Sequence, residues 1–171
     1  AIDAIIDTGT GVGVMVNGKS GLILNSGELV NNAVLVNTAS GEIYNDTGGL
    51  LVNAGGYLQN NGLLVNQAGA QLTNSGVIDN SIENIRNAFG ILEIAQIVNL
   101  GTLTNQGELV NNDTLVNYGV MNNQTLNNAA NQALINNSGK MSNLGQINNE
   151  AQLINDSGAE LNNHGKIVNN G

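Results

Sequence analysis

An aliphatic residue followed two positions later by Asn, with Gly usually one or two residues beyond, recurs along most of the chain. In the first half the aliphatic position falls at Ile23, Leu29, Leu35, Ile43, Leu51, Leu58, Leu64, Leu72 and Ile78. The matching Asn residues are Asn25, Asn31, Asn37, Asn45, Asn53, Asn60, Asn66, Asn74 and Asn80. The pattern resumes at Ile97 and continues through Leu103, Leu109, Leu115 and Met121 in six-residue steps; elsewhere the steps are five to eight residues. An amphipathic helix needs apolar spacings of 3 and 4, so a helical array is excluded. Steps of this length suit a short strand plus a corner. Three successive steps sum to 20 residues from Ile23 to Ile43, 21 on to Leu64, 18 from Ile97 to Leu115, and 19 each on to Leu134 and Leu153. Three sides therefore close one coil.

The spacing predicts an all-β fold: a parallel β-solenoid with three short strands per coil of 18–21 residues. In Leu109-Val110-Asn111 alternation turns Leu inward, Val outward and Asn inward at the corner. Gly107 before it is expected to supply a positive φ. Coils stacked about 4.8 Å apart would align the aliphatic side chains in columns and the Asn side chains in amide ladders. Repeat coils are expected over 21–80 and 97–171, with residues 1–20 forming an end coil or cap. Residues 81–96 interrupt the pattern: Ile82, Ile85, Phe89 and Leu92 have helical spacing, which predicts one short, possibly helical, lateral insert.

Composition agrees with regular stacking. Aromatics are 2% of the chain and there are no Pro or Cys residues, against 34 Asn, 23 Gly and 41% apolar residues. Pro would remove donors from a strand ladder, and a disordered segment would be poorer in aliphatic side chains. The net charge is −9, with Lys19, Arg86, Lys140 and Lys166 the cations, so no nucleic-acid partner is expected. No run approaches the roughly 20 apolar residues of a membrane span. The start at Ala1, without Met, is read as a trace of processing or excision.

The stretch Gly101-Thr102-Leu103-Thr104-Asn105-Gln106-Gly107-Glu108-Leu109-Val110-Asn111 resembles the repeats of filamentous-haemagglutinin-type adhesins of the two-partner secretion route. The resemblance spans residues 21–80 and 97–171. It implies a right-handed β-helix and a place outside the cell or at its surface. No amino-terminal secretion motif accompanies it. The hexads also resemble left-handed hexapeptide helices, against which the seven- and eight-residue steps count.

Motifs that carry chemistry are few. Gly13 to Ser20 satisfies the P-loop expression, but Gly21-Leu22-Ile23-Leu24-Asn25 follows as repeat strand where a helix must receive phosphate. Asp7-Thr8-Gly9 matches one aspartic-protease triplet without a second to share its proton. Glu28, Glu42 and Glu108 occupy outward slots, and His164 is the single imidazole. No catalytic, cofactor-binding or metal site is expected, although Asp3 and Asp7 leave room for weak Ca²⁺ binding. A carbohydrate-active enzyme of β-helix type is the most distant reading.

The function expected is that of an extracellular, self-associating structural subunit of a surface fibre or matrix filament. Outward positions are often apolar, as at Val30, Val52, Val98, Val110, Ile135, Ile154 and Val168, and Lys166 to Gly171 keep the repeat register. An open strand edge invites another chain. Head-to-tail contact is therefore expected between Leu161, Asn163, Ile167, Val168 and Asn169 of one copy and Ile2, Ile5 and Ile6 of the next. The alternative is a passenger segment of a larger adhesin, with a glycan or another surface as its partner.

Overall fold

The computed structural model describes residues 13–82, 94–125 and 133–171, together with the backbone of residues 4–6. Twenty-two strands, numbered β1 to β22 in chain order, make up three parallel sheets, and no helix occurs among the described residues. The first sheet takes every third strand from β1 (Ala4–Ile6) to β22 (Lys166–Asn169), eight in all. The second runs from β2 (Val14–Asn17) to β20 (Gln152–Asn155) and the third from β3 (Leu22–Asn25) to β21 (Glu160–Asn163), seven strands each. The protein is a three-sided parallel β-solenoid. β1 and β2, which lie in the segment expected to be an end coil or cap, pair in register with the next coil.

From β3 to β19 every strand repeats one burial pattern. Its second and fourth residues point inward, and its first and third point outward, as in Leu50-Leu51-Val52-Asn53. The second positions build three aliphatic columns whose central members are fully buried, among them Leu51, Leu58, Leu64, Leu103, Leu109 and Leu115. Each such Leu contributes about 2 kcal/mol of apolar burial. The fourth positions carry Asn from Asn17 onward, and from Asn25 to Asn143 these side chains are fully buried. A buried amide is costly unless its donors and acceptor are satisfied, so the stack stands or falls with the bonds these residues make.

Three expectations need correction. Leu134 was expected at the inward position, with Ile135 outward. Ile135 is instead fully buried, pairing with Leu109 and Leu153, while Leu134 lies outside beside Glu108. The run Leu134-Ile135-Asn136-Asn137 satisfies the aliphatic-x-Asn rule in two frames. The frame that stacks Asn137 between Asn111 and Asn155 prevails. Secondly, Gly107 has no positive φ; it is needed because a Cβ there would lie 2.2 Å from the Gly76 carbonyl oxygen of the preceding coil. Positive φ is confined among described glycines to Gly48, Gly55, Gly69 and Gly158. Finally, coils that contain neither of two long connections span 18–25 residues, the longest from Ala4 to Leu29.

Two connections between successive strands are longer than the others. One joins β11 (Val77–Asn80) to β12 (Gln96–Asn99), and the expected helix falls largely on residues 83–93, outside those described. The other joins β16 (Val120–Asn123) to β17 (Leu134–Asn137) and was not anticipated, because the double frame at Leu134 concealed it. Neither interrupts the strand pairing on either side.

Candidate self-association site

The geometry of the corner Asn defines the chemistry available at the ends of the rod. Asn105 is representative. Its Nδ2 donates to Gly107 O in its own corner at 3.0 Å, to Asn123 Oδ1 in the following coil at 2.8 Å, and to Leu134 O at 3.0 Å. Its Oδ1 accepts from Asn74 Nδ2 of the preceding coil at 2.8 Å. One side chain thereby closes its own corner and ties it to both neighbouring coils. Asp would lack the donor and would place like charges in successive coils. Gln would add a methylene to a filled core.

The ladder has a direction. At every described rung the Asn nearer the amino terminus donates to the Asn nearer the carboxy terminus, as from Asn17 to Asn37, Asn25 to Asn45 and Asn31 to Asn53. Corner backbone groups run the other way, with Gln106 N–H donating back to Asn74 O and Glu108 N–H to Gly76 O. The two sets together give each coil a forward face and a backward face that are not alike.

The coil formed by β20, β21 and β22 exposes its forward face in this chain. Lys166 and Asn170 N–H both donate back to the preceding coil. Alternate residues of a strand present their backbone groups to the same side, so Val168 also faces back, whereas Ile167 and Asn169 face the open edge. The same reasoning turns Leu153 and Asn155 of β20, and Leu161 and Asn163 of β21, toward that edge, because Gln152, Asp156, Glu160 and His164 donate backward. Leu153, Leu161 and Ile167 are only partly buried, and with Asn149 and Asn169 they line a hollow of about 130 Å³. Asn163 and Asn169 accept from Asn143 and Asn149 at 2.7 and 2.6 Å but are themselves exposed. Leu161, Asn163, Ile167 and Asn169 thus share one surface, while Val168 lies on the outer wall.

At the other end, Ile6 occupies the register position of Asn31 and Ile5 that of Val30. Ile2, Asp3 and Asp7 lie outside the described residues, as does the Asp7-Thr8-Gly9 triplet. Sequence reasoning passed over Met15-Val16-Asn17, a full repeat unit whose Asn17 is buried and begins the second sheet's ladder. The signal was present, but a Met in place of Leu inside a P-loop match obscured it. Val14 to Asn17 form a strand and β3 follows, so the described part of that match has the strand–corner–strand form of the other coils.

Polar chemistry on the walls is sparse. Tyr57 donates through its hydroxyl to Asp79 Oδ2 at 2.8 Å, and burial together with this carboxylate pushes its pKa up to about 12. Among the described residues no three His, Cys, Asp or Glu side chains are placed to hold a metal ion. One corner carries an exposed column, with Leu100, Tyr118 and Leu144 in consecutive coils. No family model, curated protein or solved structure matches this chain.

Proposed function

We propose that this protein is an extracellular structural subunit that associates with copies of itself by adding coil to coil. The observation that carries the reading is the directional ladder, whose last three described Asn residues, Asn155, Asn163 and Asn169, are exposed. In the last described rungs these three accept, which leaves their exposed amides on the forward face, and in the first Asn17 and Asn25 donate. A surface of aliphatic side chains, amide donors and strand edge is matched most closely by another coil with the same repeat, and a heterologous contact that does not close on itself builds a filament. A core held by stacked amides and aliphatic columns also needs no disulfide, which suits a Cys-free chain outside the cell. The test is sedimentation and electron microscopy of the purified chain over a wide concentration range. Filaments one solenoid wide are expected; a monomer at the highest soluble concentration contradicts the reading.

A second reading, a segment of a larger adhesin, draws support from the Leu100, Tyr118 and Leu144 column, since contiguous exposed apolar side chains mark contact surfaces. Binding to a glycan array that is lost in Tyr118→Ala, from a chain that stays monomeric, would favour it over the fibre.

A further inference from the structure

We infer that Asn61 is a site of spontaneous covalent modification, at which the backbone nitrogen of Gly62 closes on the Asn61 side chain and releases its amide as ammonia.

Three of the 34 Asn residues are followed by Gly: Asn17-Gly18, Asn61-Gly62 and Asn170-Gly171. The carbonyl carbon of an Asn side chain can be attacked by the next residue's backbone nitrogen, and a glycine there has no Cβ to hinder the approach. Two conditions decide whether a folded chain permits it. The side-chain amide must be free to swing, and the attacking nitrogen must not be holding its proton in a hydrogen bond.

The ladder denies the first condition to Asn17. Its Nδ2 donates to Gly21 O, Asn37 Oδ1 and Glu42 O at 3.1, 2.8 and 2.9 Å, and the side chain is buried. Ring closure there would break all three bonds.

Asn61 lies one residue beyond its rung. Asn60 is the ladder residue, donating to Gly62 O, Asn80 Oδ1 and Gln96 O. Asn61 then begins the corner between β8 (Tyr57–Asn60) and β9 (Leu63–Asn66), a position filled elsewhere by Ser75, Leu100, Gln106 or Tyr118. Stacking therefore asks nothing of this side chain. Its Oδ1 is buried yet has no hydrogen-bond partner among the described residues. At comparable corners Gly76, Gly101, Gly107 and Gly119 N–H donate back to an Asn carbonyl of the preceding coil. Here only Asn61 N–H does so, to Asn37 O at 2.8 Å, and Gly62 N–H meets no acceptor among the described residues. Glycine is nonetheless required, because a Cβ at Gly62 would lie 2.3 Å from Gly41 O. Close packing between coils thus sets the least hindered neighbour beside an untethered Asn.

The step exchanges one C–N bond for another. Gly62 N bonds to Asn61 Cγ, the Cγ–Nδ2 bond breaks, and the Gly62 proton leaves with the amide as ammonia, giving a five-membered imide. Water then opens the imide at either carbonyl. Cleavage at Cγ yields aspartate. Cleavage at the main-chain carbonyl yields isoaspartate, whose backbone runs through Cγ and lengthens the corner by one methylene.

The test holds the purified wild-type chain in mildly alkaline buffer, native or unfolded in guanidinium chloride. Peptides covering positions 17 and 61 are followed by mass spectrometry, with fragmentation that separates isoaspartate from aspartate. In native buffer position 61 should react at least about tenfold faster than position 17, the least that three broken hydrogen bonds imply, with isoaspartate among its products. In denaturant the two pairs should react at closely similar rates, because the fold distinguishes them. Equal native rates would overturn the inference, as would a position 61 that reacts only after unfolding. A difference that persists in denaturant would assign the selectivity to local sequence and overturn the role of the corner. Aspartate without isoaspartate would also overturn it, since direct hydrolysis of the side chain bypasses Gly62.

Discussion

Asn74 Nδ2 donates to Asn105 Oδ1 at 2.8 Å although 31 residues separate them, and the same bond spans only 18 residues from Asn105 to Asn123. The ladder tolerates whatever the chain does between coils, provided that the next Asn returns to its rung. Corner Asn residues, more than loop length, therefore set the register of the solenoid. Asn105→Ala should cost about 2 kcal/mol by stripping partners from Asn74 and Asn123. Asn105→Asp should cost more, because a buried carboxylate replaces the donor. Chemical denaturation of both variants checks the order.

The two frames at Leu134 and Ile135 make a second test. Ile135→Asp buries an unpaired charge in the core and should cost several kcal/mol, as should Leu109→Asp. Leu134→Asp places a charge on the outer wall and should cost well under half as much. Equal losses in thermal stability would mean that the frame is wrong.

Glycines divide by mechanism. Gly107→Ala drives a methyl to within 2.2 Å of the Gly76 carbonyl oxygen, so the coils must part locally. Gly55 has φ +75 and open space around a Cβ, so Gly55→Ala meets only left-handed backbone strain of roughly 1 kcal/mol. The melting temperature should fall further for Gly107→Ala.

How much of this was legible in the sequence depended on redundancy. The nine units from Ile23 to Asn80 each offer one aliphatic residue and one Asn at the right spacing, so strand, face and coil could be read together. Where two frames competed, as at Leu134-Ile135-Asn136-Asn137, spacing could not decide, because the choice is made by which Asn meets Asn111 in space. Gly107 was visible as a necessity but not its reason. Close approach between coils leaves no trace in local sequence, whereas a turn does. The open edge could be suspected from the repeat, but which groups face it follows only from the direction of backbone bonds such as Lys166 N–H to Gly145 O.

Tyr57 links the wall to pH. Its pKa in the fold, about 12, lies above the ordinary tyrosine value, so the folded state holds the phenolic proton longer than the unfolded chain does. This contribution is fully present below about pH 10 and is lost as pH rises through 12. Stability of the wild-type chain should fall more steeply over that window than that of Tyr57→Phe. Parallel curves would show that the bond to Asp79 contributes nothing to the linkage.

The central claim, that coils of one copy continue those of the next, is tested most directly by diffraction from aligned filaments of the purified chain. Coil-on-coil stacking keeps every strand perpendicular to the filament axis, so a sharp meridional reflection near 4.8 Å is expected along that axis. Its coherence should extend well beyond the length of one copy, because the spacing continues across each joint. Filaments whose strand reflection lies on the equator, or whose order ends at the length of a single chain, would contradict the account.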